Sequence, residues 1–156
     1  MFYAKALAFT IATRAAGQRR DVFRIDFNVD TRCTDISPRT SAKQLLDFLG
    51  TGDDGGTDAG PALEEAVKVT EKERYGMADI VVISDLELDM YCFRRDDPPM
   101  KALRERGCRV HAIAVMSNHR CDRDPFDSCW EVTAMPGKRG SRRFEEVREK
   151  RDPRRH

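Results

Sequence analysis

The spacing of hydrophobic residues alternates between a helical and a strand period along the chain. From Tyr3 to Ala16 the apolar residues recur at three- and four-residue steps, which predicts a helix with Gly17 as its C′ residue. Residues 22–29 alternate between apolar and polar, which predicts a strand with one apolar face. Residues 31–38 are typical of a turn and leave room for a short edge strand.

The rest of the chain up to residue 115 is predicted to contain three helices and two buried strands. Helices are predicted where capping residues, prolines and glycines bracket an apolar face, at residues 41–49, 59–72 and 98–106. Two near-continuous apolar runs, at residues 78–83 and 109–115, are typical of strands buried on both faces, as in a parallel sheet.

A short last strand is predicted at residues 130–133. The alternation of strands and helices predicts an α/β fold, with a mostly parallel sheet and helices on both of its faces. The length of 156 residues fits one domain, and a hydrophobic share of 40% is enough for a core.

The charge pattern excludes several classes of protein. Charged residues make up 35% of the chain, yet the net charge is only +1, which argues against a dedicated nucleic-acid binder. No apolar run approaches the roughly 18 residues of a membrane span, and Met1 to Thr13 lacks the pattern of a signal peptide. Residues 138–156 carry nine Lys and Arg against four Asp and Glu, which predicts a solvated, partly helical basic tail. The alternative is that this basic tail binds an acidic protein or a nucleic acid.

The five cysteines are odd in number and include no C-x-x-C pair. Together with the missing signal pattern, they predict free thiols in a reducing compartment, the cytoplasm.

Two segments carry the residue types of a binding site. A glycine- and aspartate-rich loop at residues 51–61 runs into a predicted helix, and Ser84-Asp85 ends a predicted strand. In open α/β sheets ligands bind at the carboxyl ends of the strands, and oxygen ligands there suit Mg²⁺. Turn formation and helix capping are the alternative roles of the same residues.

The same two segments resemble a known family. Residues 55–63, Gly-Gly-Thr-Asp-Ala-Gly-Pro-Ala-Leu, and residues 78–85, Ala-Asp-Ile-Val-Val-Ile-Ser-Asp, resemble motifs of von Willebrand factor A (VWA) domains. More narrowly, they resemble the bacterial CoxE-like and ViaA-like VWA proteins. Tyr3–Leu7 is similar to the first helix of these proteins and Phe126–Trp130 to their final strand region, so the resemblance covers about residues 3 to 135.

The resemblance implies a three-layer, doubly wound sheet with a metal-ion-dependent adhesion site (MIDAS) built from three loops. Thr57 matches the ligand of the second loop and Asp85 that of the third, with Gly56, Asp58 and Ser84 as neighbours. The implied cofactor is Mg²⁺ or Mn²⁺.

One part of the family pattern is absent. The D-x-S-x-S motif of the first loop and the strand before it are missing, and in the family that strand lies centrally, between the strands at residues 22 and 80. We therefore expect a VWA-like domain over residues 1–137, incomplete at its N-terminus, followed by a basic tail at 138–156. Either the true start lies upstream, which we favour, or the chain is a remnant, or the two half-sheets pair directly around a vestigial site.

The resemblance implies a non-enzymatic protein-binding module, whose metal completes its coordination with an acidic residue of the partner. For CoxE-like and ViaA-like proteins the implied partner is a MoxR-type AAA+ ATPase that acts in the maturation of a client enzyme. The alternatives are a truncated, metal-free scaffold and a Mg²⁺-dependent hydrolase or phosphoryl-transfer enzyme. The sequence offers no nucleophile–base pair and no P-loop motif for an enzyme.

Overall fold

The helices and strands follow the predicted order closely. The computed structural model of the protein describes residues 2–27, 31–36, 58–87, 94, 96–117, 125–134 and 144–149. The α-helices are α1 (Phe2–Gly17), α2 (Gly60–Thr70) and α3 (Pro98–Glu105), with a 3₁₀ turn at Glu73–Tyr75. The strands are β1 (Val22–Phe27), β2 (Thr31–Ile36), β3 (Ile80–Ser84), β4 (Val110–Val115), β5 (Ser128–Ala134) and β6 (Phe144–Glu149). The helix predicted at residues 41–49 lies outside the described residues.

The end of α1 corrects one detail of the sequence analysis. Gly17 is the last helical residue, and the left-handed C′ position is taken by Arg19, with a φ of 57°. The Arg20 N–H donates to the Ala15 carbonyl and the Arg19 N–H to the Ala16 carbonyl, each over 2.9 Å from nitrogen to oxygen. This pair of hydrogen bonds is a Schellman motif, whose geometry favours glycine at the position that Arg19 occupies.

We expect Arg19→Gly to stabilise the protein. A left-handed conformation costs a residue with a Cβ about 1–2 kcal/mol, and glycine avoids this cost. Glycine is also more flexible in the unfolded chain, which lowers the stability of the folded state by about 0.5–1 kcal/mol and cancels part of the gain. The free energy of unfolding should therefore rise by about 0.5 kcal/mol, as measured by urea denaturation. Arg20→Gly is the control, since Arg20 has no positive φ, and it should lower stability slightly. Equal losses in both variants would show that the Arg19 backbone is not strained.

The described strands form two separate sheets. β1 and β2 make an antiparallel hairpin, with Val22 opposite Ile36 and Phe27 opposite Thr31. β3, β4 and β5 pair in parallel, and β6 adds to β5 in the antiparallel direction. Within the described part of the chain β1 does not pair with β3, so the expected alternative of directly joined half-sheets is not observed there.

The main core lies between the parallel strands and the helices α2 and α3. Met100 and Leu103 of α3 and Val110 of β4 are the largest fully buried side chains. They belong to one cluster with Leu63 of α2 and Val82 of β3. The apolar runs predicted to be buried strands therefore supply one wall of this core, as expected for parallel sheets.

Two helices connect the hairpin with the larger sheet. Ala12 of α1 packs with Ile36 and Val22 on one face of the hairpin. Phe27 lies on the opposite face, because side chains alternate along a strand, and packs against the main cluster that includes Leu63 of α2. α1 also contacts β3. The hairpin thus has a helix on each face, and both helices reach toward the parallel strands.

A polar and aromatic cluster fastens the hairpin to the turn after α2. The Arg74 guanidinium donates to the carboxylate of Asp21 and to both oxygens of Asp35, over 3.0 and 3.3 Å for the latter. The Tyr75 hydroxyl donates to Asp35 Oδ1 over 2.9 Å, and its ring meets that of Phe23 edge-on with 5.7 Å between centroids. The Arg74 hydrogen bond lowers the pKa of Asp21 below its ordinary value of 3.8.

This cluster predicts a stability loss at alkaline pH. Burial, together with the hydrogen bond to Asp35, raises the pKa of Tyr75 from 10 to about 12. Because the folded-state pKa lies above the unfolded value, the contribution of neutral Tyr75 is complete below pH 10 and is lost as the pH rises through about 12. We expect the ultraviolet titration of tyrosinate to contain one late component that is missing in Tyr75→Phe. A titration described entirely by the ordinary pKa of 10 would contradict this.

Two further expectations are wrong in part. Phe144–Glu149 forms the strand β6 beside β5, where we expected a partly helical tail, because an available strand edge overrides local helical preference.

Cys129, buried on β5, is disulfide-bonded, whereas we expected free thiols throughout. Disulfide formation depends on how close two Cα atoms lie in the fold, and the spacing of cysteines in the sequence does not reveal that distance. The other two cysteines that the structure describes, Cys33 and Cys108, are free, as expected.

None of the described helices has the length and apolar character needed to cross a membrane.

Candidate functional site

The sequence-predicted site residues follow two elements. Ser84 is the last residue of β3, and Asp85 comes directly after it. Asp58 stands two residues before the start of α2. Thr57 and Gly56 lie outside the described residues, as do the aspartates at positions 53, 54 and 89 that border the two motifs.

A tight turn at the end of β3 is built around the Ser84 hydroxyl. Ser84 is buried, and its Oγ accepts a hydrogen bond from the buried Leu86 N–H over 3.1 Å. Leu86 has a φ of 58°, a left-handed conformation that is rare for a bulky residue, and its side chain joins the main core. The Ser84 bond and the buried Leu86 side chain together hold the chain in this conformation.

Asp85 lies on the outside of the same turn. One of its carboxylate oxygens, Oδ1, accepts the Glu87 N–H over 3.1 Å and the Ser84 O–H over 3.2 Å. The Asp85 side chain is exposed, and this hydrogen bonding is that of an Asx turn. The turn role that the sequence left open for Asp85 is therefore present.

Asp58 forms a second Asx turn at the entrance to α2. The Gly60 N–H donates to Asp58 Oδ1 over 2.9 Å, and a Cβ added to Gly60 would lie 3.2 Å from that oxygen. Glycine at position 60 thus allows the close approach of the carboxylate. The residue after Asp58, Ala59, is buried in the same core cluster as Leu86. Both turns are therefore anchored in one core.

The described residues do not by themselves make a metal site. No group of three or more His, Cys, Asp or Glu side chains with metal-binding geometry occurs among them. One oxygen each of Asp58 and Asp85 is already engaged in a local turn, and so is the Ser84 hydroxyl. Mg²⁺ requires six oxygen ligands in an octahedron, of which water supplies only some. A complete site would need Thr57 and further ligands from outside the described part of the chain.

The same end of the sheet contains a feature that the sequence analysis missed. Met116, directly after β4, has a φ of 56° and a partly exposed side chain, and its N–H donates to the Val132 carbonyl over 2.8 Å. A non-glycine residue in the left-handed conformation therefore follows each of these strands, Leu86 two residues after β3 and Met116 directly after β4. The sequence carries no signal for either, because glycine is the usual marker of this conformation.

His111 has a packing role on β4. Its ring packs against Trp130 with 5.6 Å between centroids, and its Nδ1 is buried without a hydrogen-bond partner. His111 stands near the start of β4, at the opposite end from Asp85, so it is not part of the carboxyl-edge site.

Comparisons with protein-family models, with curated proteins and with solved structures find no match to this chain. The VWA resemblance thus rests on the sequence motifs alone.

Proposed function

We propose that the protein is a non-enzymatic, VWA-type protein-binding module whose binding surface is the carboxyl edge around Asp85. The observation that carries this proposal is the division of the sheet between β1 and β3. That is the position that the VWA resemblance assigns to its first strand. A further support is that α1 and α2 pack on opposite faces of the hairpin, which is compatible with the helix layers that the resemblance implies.

The chemistry of the carboxyl edge supports binding better than catalysis. The Ser84 hydroxyl is buried, accepts the Leu86 N–H and donates its proton to the Asp85 carboxylate, so both its lone pair and its proton are engaged in holding the turn. Asp85 is exposed, and it is held in a fixed orientation by the Glu87 N–H. A rigid, exposed carboxylate at the edge of a sheet is suited to recognition of a cation or a cationic partner.

The proposed partner is a MoxR-type AAA+ ATPase, and the proposed compartment is the cytoplasm. Both rest on the CoxE-like and ViaA-like resemblance. In the Mg²⁺-dependent form of the proposal, Thr57 and Asp85 contribute to the metal site together with ligands beyond the described residues. The turn that engages one oxygen of Asp85 favours a second form, in which the same edge binds its partner without a metal.

Asp85→Ala should weaken binding to the purified ATPase by about tenfold, which corresponds to about 1.4 kcal/mol. Biolayer interferometry with the immobilised full chain measures this change. The matched control is Asp79→Ala, which removes the same charge from an exposed residue just before the opposite end of β3. Asp79 lies 3.6 Å from Arg109, a weak exposed pair.

The outcomes separate the forms of the proposal. Loss of binding both in Asp85→Ala and after chelation by EDTA supports the Mg²⁺-dependent form. Loss in Asp85→Ala with no effect of EDTA supports the metal-free form. Equal binding of the wild type and of Asp85→Ala would show that the partner does not bind at the carboxyl edge, and would contradict both forms. Turnover of a generic phosphate ester that disappears in Asp85→Ala would favour the hydrolase instead.

A further inference from the structure

The disulfide at Cys129 attaches β5 to another segment of the chain. Cys129 is buried in the main core cluster, and it is disulfide-bonded. The chain has five cysteines, of which Cys33 and Cys108 are free. By elimination, the partner of Cys129 is Cys92 or Cys121, both of which lie outside the described residues.

Both candidate partners belong to connections that begin at the carboxyl edge of the sheet. Cys92 lies between β3 and α3, and Cys121 lies between β4 and β5. Because β3, β4 and β5 are parallel, the chain leaves β3 and β4 at the same edge. Whichever of the two cysteines is the partner, the disulfide links one of these connections to the buried side of β5.

Described contacts join Cys129 and its strand to the turns at this edge. The Leu86 side chain, in the turn after β3, lies in the same core cluster as Cys129. The Met116 N–H, directly after β4, donates to the Val132 carbonyl of β5 over 2.8 Å. Leu86 and Met116 both have a left-handed backbone, which persists only where the surrounding structure holds it. A covalent bond between β5 and the connection that follows one of these turns therefore supports that turn.

The free thiols are poor nucleophiles toward this disulfide. Desolvation raises the pKa of the Cys33 thiol, and burial raises the pKa of the Cys108 thiol. Thiolates rather than thiols attack disulfides, so exchange within the chain is disfavoured. Opening of the bond therefore depends on an external thiol. In the cytoplasm, the compartment proposed above, glutathione supplies such thiols, and the disulfides that form there are usually transient or redox-sensing.

We propose that the Cys129 disulfide is a reversible, redox-dependent link that controls the carboxyl edge of the sheet. In the oxidised chain a connection that begins at this edge is bonded to β5, and in the reduced chain it is released. The consequence for partner binding rests on the function proposed above. Thiols and amides can be measured without a partner, however, so the two proposals can fail separately.

The chemical step is thiol–disulfide exchange with a small thiol. One glutathione thiolate attacks a sulfur of the bond and forms a mixed disulfide, and a second glutathione thiolate then releases the remaining cysteine. Two electrons enter the chain, the two protons of the glutathione thiols end on the two cysteines, and one oxidised glutathione is formed. Oxidised glutathione is the oxidant of the reverse reaction.

Thiol counting in the native full chain tests reversibility. Because the bond takes two of the five cysteines, maleimide labelling after denaturation should find three thiols in chain treated with oxidised glutathione. It should find all five after a millimolar excess of reduced glutathione. Tryptic peptides of the unreduced chain identify the partner, because residues 75–94, 121–123 and 124–138 form separate peptides with one cysteine each. A bond that resists glutathione in the native chain, or that joins Cys129 to Cys33 or Cys108, would overturn the proposal.

Amide hydrogen exchange compares the edge in the two redox states. Reduction should speed exchange at least about tenfold at Leu86 or at Met116, whichever turn precedes the connection that the peptide map identifies. The amides of Ile80 and Val110, which are hydrogen-bonded at the opposite end of the strands, should exchange equally in both states. Equal exchange of the edge amides in the two states would show that the bond does not control the edge, and would overturn the proposal.

Serine variants repeat this comparison without a reductant. Of Cys92→Ser and Cys121→Ser, the one that removes the partner of Cys129 should show the exchange of the reduced state, and the other should behave as the wild type does. Cys33→Ser is the matched control, since it changes an exposed free thiol, and it should leave exchange at the edge unchanged. Equal effects of Cys92→Ser and Cys121→Ser would attribute the change to packing rather than to the disulfide, and would contradict the proposal.

Discussion

Met100→Ala should lower the free energy of unfolding by about 2–5 kcal/mol, the largest single effect that we expect in this protein. Met100 lies in the first turn of α3 and its side chain is fully buried in the main core. Truncation removes its transfer free energy and leaves a cavity among well-packed neighbours such as Leu103 and Val110. Since total stabilities are about 5–15 kcal/mol, a loss of this size would leave a substantial fraction of the chain unfolded on mild warming.

Met77→Ala is the matched control for this experiment. The chemical change is identical, but the Met77 side chain is 88% exposed, so its truncation should change stability by less than about 0.5 kcal/mol. Urea denaturation followed by circular dichroism measures both variants. Similar small changes in the two would mean that α3 is not docked on the sheet through Met100.

Ser84→Ala should cost about 1–3 kcal/mol, the second largest effect. The Ser84 hydroxyl is the acceptor for the Leu86 N–H, and both residues are buried. Without the hydroxyl this N–H remains buried and unsatisfied, and the left-handed conformation of Leu86 loses the hydrogen bond that stabilises it. The turn that orients Asp85 should loosen at the same time.

The comparison variant for Ser84→Ala is Asp85→Ala. It also removes an acceptor, here for the Glu87 N–H, but Asp85 is exposed and water replaces the lost hydrogen bond. We expect a change within about 0.5 kcal/mol in the same denaturation experiment. This contrast would confirm that a loss of partner binding in Asp85→Ala reports on recognition rather than unfolding. A large destabilisation by Asp85→Ala would contradict the exposed role of its carboxylate.

Much of the fold could be predicted because local pattern and tertiary role agree. The apolar run at residues 78–83 predicts a buried parallel strand, and β3 and β4 pair in parallel. Pro61 and Pro98 mark the first turns of α2 and α3, where the missing N–H of proline costs nothing. Gly107, with a φ of 81°, follows α3 as predicted.

Of the features that sequence reasoning missed, two depend on distant parts of the chain, and one is a local conformation that its residue type does not signal. β6 forms because β5 offers it an edge, and the sequence of residues 144–149 alone favours no such pairing. The Arg19 cap needs a left-handed conformation at a residue type that does not signal it. The disulfide at Cys129 depends on a distance in the folded chain, and it weakens the composition-based argument for a reducing compartment.

The elements that carry the candidate residues could be predicted, because Asp58 precedes α2 and Asp85 follows β3, as the apolar pattern indicates. That they form a binding site at the carboxyl edge stays a prediction from the rule for parallel sheets. The hydrogen bonds that engage their Oδ1 atoms in Asx turns could not be predicted, because the metal-binding and turn-forming interpretations share the same residues. Thr57 stays a prediction, since it lies outside the described residues.

The most direct test of the proposed function is calorimetric titration of the full chain with a purified MoxR-type AAA+ ATPase in the presence of Mg²⁺. We expect saturable, one-to-one binding with a Kd of about 1 μM or tighter, equivalent to about −8 kcal/mol. Absence of saturable binding at concentrations well above that value would contradict a protein-binding module of this type.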